Sequence, residues 1–302
     1  MSHSTMRGDA TSTGLHDILK STTIDSGHKP ENIKVREARD SVLNPKSLPI
    51  ILALDCTGSM GDVIYEAMKK FNVIIEELVD KKAVEDPAIM TMFFDDVKFV
   101  GARALQVSQF ESDMEAVKQL EKMYVTGNGG GNNTESYDLP LYMAAFKTKT
   151  DAFEKRGQKG FLFTVGDENM PTKLTKQEIQ TVFGSDEPVS EDMDYMTLFE
   201  AASRMYNCFH VVVMEGSHAG RAGEDAMRKN WAKLGQNLII LKDLKALPEV
   251  IVSTIRIVNG EDHDTVVGAW TGTTAIAVAD ATKSLVAKKS GSTDSTPGVK
   301  TL

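Results

Sequence analysis

In the stretch "ILALDCTGSMG", residues 51 to 61, an apolar run ends at Asp55 and two hydroxyls, Thr57 and Ser59, follow at once, with Gly58 and Gly61 bracketing Ser59. Alternation along an extended-to-turn segment sends Asp55, Thr57 and Ser59 to one side while Cys56 points away. One carboxylate with two neutral hydroxyls is a set of hard oxygen donors that suits Mg²⁺, with Mn²⁺ next; zinc sites draw on His and Cys. Mg²⁺ takes six oxygens at about 2.1 Å and keeps several waters, so one strand end is not enough. A second carboxylate is available from Asp167, which closes the apolar run in "GFLFTVGDE". A further neutral oxygen is available from Thr134 or Asn133 in "GNGGGNNTES", where glycines let the backbone come close. The reading without a metal is that Asp55 and Ser59 cap the helix that follows.

Other chemistries fit less well. A phosphate-binding loop needs G-x-x-x-x-G-K-[ST], and "DCTGSMGD" has no lysine and puts acids where phosphate would sit. A nucleophile elbow needs G-x-S-x-G, and "TGSMG" lacks the first glycine. Mg²⁺-dependent phosphoester hydrolysis, with Glu168 as base, is an alternative. Against it, position 57 is Thr rather than the second Asp of a D-x-D pattern, and no Lys or Arg stands beside the motifs to hold a phosphoryl group. His210 lies within an apolar strand and reads as a core histidine. "GEDHDT", 260 to 265, reads as a solvated loop.

These residues need elements to position them. Apolar runs at 48–55, 88–96, 160–168, 208–216 and 236–243 read as strands, with a short one in "ALQVSQF". Helical patterns over 62–82, 111–122, 137–154, 174–184, 195–207, 224–235 and 246–260 alternate with them. That order predicts an α/β fold: a doubly wound, mostly parallel central sheet with helices on both faces. Right-handed crossovers put the strand C-terminal ends, Asp55 and Asp167 among them, on one rim where ligands bind. Domain organisation follows: a flexible N-terminal arm over 1–30 and the main domain with its lead-in over 31–260. An extension over 261–290 packs on that domain, and a disordered tail covers 291–302.

Composition narrows the function. Lys plus Arg number 34 against 43 Asp plus Glu, a formal charge of −9, which gives no general attraction to nucleic acid or anionic membranes. Two cysteines, Cys56 and Cys208, make no disulfide framework and read as buried thiols. With no membrane-length apolar run and no secretory leader pattern, the expected location is the cytoplasm.

"DCTGSM", 55 to 60, resembles the DxTGS form of the metal-ion-dependent adhesion site in von Willebrand factor type A domains. The family's D-x-[ST]-x-S motif falls on Asp55, Thr57 and Ser59, its second-loop threonine on Thr134, and its third-loop aspartate on Asp167. "TVGDE" resembles the variant found with intracellular "DTTGSM" relatives. The resemblance spans about residues 47 to 260 and implies a Rossmann-like fold whose strand-end loops hold Mg²⁺ or Mn²⁺. It also implies a non-enzymatic role: a protein-binding module in which a partner's Asp or Glu completes the ion's coordination. Intracellular relatives imply an adaptor in a complex, beside an AAA+ ATPase or a kinase. A structural or assembly component of a larger particle, joined through the terminal extensions, is the alternative.

Overall fold

A computed structural model describes residues 21–60, 63–70, 73–74, 77–78, 81, 83–112, 114–125 and 134–285. The central sheet contains β1 (Leu48–Asp55), β2 (Pro87–Phe94), β3 (Leu105–Val107), β4 (Gly160–Gly166), β5 (Tyr206–Val213) and β6 (Leu238–Leu241). They lie in the order β6-β5-β4-β1-β2-β3, all parallel except β3, which runs antiparallel to β2. This is the doubly wound α/β architecture that the alternating pattern predicts.

β1 and β2 are buried along their whole length, as strands covered on both faces must be. Side chains of β1 alternate between two cores. Ile50, Leu52 and Leu54 face a core shared with the helix Leu247–Val258, while Ile51 and Ala53 face one shared with the helix Asp138–Phe146. Alternation puts Asp55 on the second face, toward Tyr137. The β1–β4 register pairs Leu54 with Val165, so Asp55 and Asp167 leave neighbouring strands at one end of the sheet. From β1 the chain turns outward to β2, and from β4 it turns the other way to β5. The crevice between β1 and β4 is therefore a topological switch point, where open α/β sheets bind ligands.

Several elements differ from the periodicity. The helix expected over 137–154 is two helices, Asp138–Phe146 and Asp151–Arg156, separated by a strand at Thr148–Thr150. That strand pairs in parallel with Arg36–Ala38, and Thr150 Oγ1 caps the second helix by accepting from Phe153 N. Tertiary pairing has overridden helix propensity there. The helix expected over 195–207 stops at Ala202, since Tyr206 already pairs with Gly160 in the sheet. The helix expected over 224–235 stops at Asn230, and Gly235, at φ +55°, breaks the short turn beyond it. The expected loop at 260–265 instead starts a helix, His263–Gly268, capped by Asp262.

Residues 261–285 continue the second half of the molecule. Val266, Val278, Ala281 and Leu285 join the core beneath Leu247–Val258. At the other end, His28 and Pro30 are buried, and His28 Nε2 lies 2.9 Å from Gln119 Oε1. Residues 1–20 and 286–302, which carry most of the expected arm and tail, fall outside the described residues. Both cysteines are buried and stand outside any disulfide. Among the described residues no helix is long and apolar enough to cross a membrane.

Candidate metal centre

Asp55 is fully buried at the end of β1, and its two oxygens have different partners. Oδ1 accepts from the Thr57 amide at 2.9 Å and from Thr57 Oγ1 at 2.6 Å. Oδ2 accepts from the Tyr137 hydroxyl at 2.8 Å. Thr57 Oγ1 lies 3.0 Å from Ser59 Oγ, which donates to Asp167 Oδ1 at 2.7 Å. Asp167 Oδ2 is held by the backbone N–H of His218 at 2.8 Å. Each carboxylate thus has one oxygen tied to the scaffold and one in a shared row: Asp55 Oδ1, Thr57 Oγ1, Ser59 Oγ, Asp167 Oδ1.

Four of the five residues singled out from the sequence therefore stand side by side in this row, Thr57 donating to Asp55 and Ser59 to Asp167. Thr134 reaches the same rim by another route, a parallel bridge to Asn169, two residues beyond Asp167. Asn133, the alternative donor, lies outside the described residues, as does most of the glycine-rich loop.

The surroundings include residues that the sequence reading did not single out. Tyr137 also accepts from the Glu168 amide at 3.1 Å, and Trp231 Nε1 donates to the Glu168 carbonyl at 3.1 Å. The backbone of Glu168 is thereby held at its N–H and at its carbonyl by aromatic side chains, themselves in edge contact with ring centroids 5.4 Å apart. Two glycines make this packing possible. A Cβ on Gly166 would stand 2.2 Å from the Tyr137 hydroxyl, and one on Gly216 would stand 2.2 Å from Asp167 Cβ. Gly216 precedes the helix Ser217–Ala222, and the Ser217 amide donates to the Ser59 carbonyl at 3.0 Å. A glycine in "MEGSH" carries no periodic signal, so nothing short of the fold reveals that contact.

Electrostatically, the charge of Arg221 reaches Glu168 and His218 and acts to lower the pKa of both. Among the described residues, the hydrogen-bond donors to Asp55 and Asp167 are neutral: amides, hydroxyls and a phenol. Burial, with Asp167 adding to it, pushes the Asp55 carboxyl up to about 7. Glu168 is also raised to about 7, by burial first and then by Asp167 and Asp55. Its Oε2 lies 3.1 Å from His218 Nδ1, an imidazole whose own pKa burial lowers. Buried carboxylates drawn together this way are costly unless a cation joins them.

The donor set fits a small hard cation. Adjacent oxygens in the row are 2.6, 3.0 and 2.7 Å apart. Oxygens at neighbouring corners of an octahedron with bonds of about 2.1 Å would be about 3.0 Å apart. Among the described residues, no three His, Cys, Asp or Glu side chains form a metal-binding group. A site built here would therefore rely on two carboxylates and neutral hydroxyls, a composition that excludes the zinc pattern.

No family model matches this chain, and no curated protein matches it. Among solved structures, the open conformation of the pilus adhesin SpaC from Lactobacillus rhamnosus GG is similar at 10% identity and a TM-score of 0.48, over 77% of this chain and 33% of the adhesin. A further crystal structure of that adhesin gives 9% identity and a TM-score of 0.47, over 77% and 34%. A von Willebrand factor type A protein from Catenulispora acidiphila is similar at 14% identity and a TM-score of 0.37, over 72% of this chain and 44% of that one. The chain thus spans about a third of the adhesin and less than half of the other protein. Likenesses this distant carry no functional argument.

Proposed function

We propose that this chain is a metal-dependent protein-binding module: a divalent ion, Mg²⁺ or Mn²⁺, sits at the Asp55 rim and receives a carboxylate from a partner protein. The observation that carries this reading is the continuous row of oxygens from Asp55 Oδ1 through Thr57 and Ser59 to Asp167 Oδ1. Asp55, Thr57, Ser59 and Asp167 would hold the ion directly or through water, and Thr134 would add an oxygen from the neighbouring loop. When bound, the ion supplies a strong electrostatic anchor for a hard anionic ligand, and neutral hydroxyl donors leave that attraction largely undiminished.

The protein's own residues prepare the site. Tyr137 and the His218 amide fix the outer oxygen of each carboxylate, so that the inner oxygens stay aligned. The formal charge of −9 does not oppose an acidic ligand, because exposed charges more than about 10 Å away are screened. A role as an adaptor in a cytoplasmic complex, with an AAA+ ATPase or a kinase as the class of partner, belongs to this proposal through the family resemblance.

Co-purification from the native cell tests it, with wild type and Asp55→Ala compared and each prepared with and without EDTA. Loss of one specific partner on chelation and on substitution is the expected result. A partner retained through both treatments would place the interaction elsewhere on the molecule, as expected for a particle component assembled through its terminal extensions.

A further inference from the structure

At the opposite end of the sheet from Asp55, where β4 and β5 begin, the described residues surround a cavity of about 200 Å³. Strand register explains it. β5 starts at Tyr206, but its first partner on β6 is His210, so residues 206–209 have no β6 strand beside them. The turn that leads into β6 fills that edge only in part, through Asn237 Nδ2, which donates to the Cys208 carbonyl at 2.6 Å. Val258, at the end of its helix, and Leu285 complete the lining, and with Phe209 they give it an apolar surface.

The polar part of the lining carries charge of one sign. Lys159 lines the cavity, and no Asp or Glu does. Its Nζ donates to the Ser203 carbonyl at 2.7 Å, and Ser203 lines the cavity as well. Among the described residues Lys159 makes no ion pair. A lysine on the last carbonyls of a helix is common, and here it follows the helix Tyr195–Ala202. Capping accounts for one of the three N–H donors of the ammonium and leaves two. Cys208 and Tyr206, the other ionisable groups of the lining, are kept neutral by burial, the thiol pushed up to about 12. The cavity therefore combines an exposed, unpaired ammonium with an apolar wall, in a chain whose formal charge is −9.

We propose that this cavity binds a small carboxylic acid with an apolar body, aromatic or branched, its carboxylate on Lys159 and its body against Phe209, Val258 and Leu285. The site lies apart from the Asp55 rim and does not depend on the metal-dependent reading. Volume sets the size of the ligand. A cavity of about 150 Å³ holds one benzene, so about 200 Å³ admits a ring with one short substituent. Lining chemistry sets the head group. An ammonium selects an anion, and a carboxylate offers two oxygens, one for Lys159 and one for an amide N–H such as that of Gln236. Inorganic anions would satisfy the charge and leave the apolar wall in water.

Ligand-observed NMR titration of the full chain with sodium benzoate tests the site, with benzamide as the uncharged counterpart of similar size. EDTA is present throughout, so that no divalent ion at the Asp55 rim draws the carboxylate. The expected result is saturable benzoate binding with a Kd on the order of 1 mM, and benzamide weaker by at least about five-fold. Lys159→Gln should bring benzoate down to the affinity of benzamide and leave benzamide unchanged; Lys159 is exposed, so the fold should tolerate the change. Val258→Phe, which narrows the cavity, should weaken both ligands by at least about ten-fold. Asp55→Ala should keep benzoate binding while losing Mn²⁺ binding, so the two sites fail or stand separately. No saturable benzoate binding by wild type would overturn the proposal. Equal affinity for benzoate and benzamide would overturn it too, as would benzoate binding unchanged in Lys159→Gln or sulfate competing as well as benzoate.

Discussion

Tyr137 donates to Asp55 Oδ2 and accepts from the Glu168 amide, so one phenol ties the two acidic strand ends together. Tyr137→Phe keeps the ring contacts with Phe94, His210 and Trp231 but leaves a buried carboxylate oxygen and a buried amide unsatisfied. The expected cost is about 1–3 kcal/mol in urea denaturation. A loss below about 0.5 kcal/mol would mean that the hydroxyl matters little. Gly216→Ala is expected to be destabilising for a different reason. Its Cβ would meet the Asp167 side chain, which is itself held by the His218 amide, so the clash would cost about 1–3 kcal/mol. Asp55, Thr57, Ser59 and Asp167 were legible in the sequence because acids and hydroxyls closing apolar strands are conspicuous. Tyr137, Gly216 and His218 were not, because their roles depend on crossovers that bring distant segments together.

Among the elements, the all-apolar strands β1, β2 and β4 were the most legible, since burial on both faces leaves one reading for runs of that length. The strands Arg36–Ala38 and Thr148–Thr150 were not, because three residues carry no period and their pairing exists only in the folded chain. The segment beyond residue 260 lies between these extremes. Its apolar residues suggested packing, and the fold seats Val266, Val278 and Leu285 in the same core as Leu247–Val258. Deleting residues 261–302 would expose that face. At about 1.5–3 kcal/mol for each buried aliphatic side chain, the loss is expected to exceed roughly 4 kcal/mol. Urea denaturation of the shortened chain checks this, and an unchanged midpoint would show that the extension is dispensable.

At the scale of the whole molecule, stability should respond to pH through a histidine away from the row of oxygens. His210 is fully buried, stacked on Trp231 with centroids 3.7 Å apart, with Nδ1 2.9 Å from Thr164 Oγ1. Burial lowers its pKa from 6.5 to about 3. Below pH 6.5 the unfolded chain takes up a proton that the native state refuses, so stability falls toward pH 3 at up to about 1.4 kcal/mol per unit. The difference in stability between wild type and His210→Gln should shrink across that window as pH drops. A constant difference would show that His210 is not kept neutral by the fold.

The row of oxygens between β1 and β4 is proposed to bind a divalent ion. Water-proton relaxation during Mn²⁺ titration of the full chain tests it most directly, because it detects weak sites without a partner. The expected result is one Mn²⁺ per chain, displaced by Mg²⁺, with binding abolished in Asp55→Asn and Asp167→Asn and weakened in Ser59→Ala. Equal Mn²⁺ binding by wild type and both aspartate variants, each shown to be folded, would contradict it.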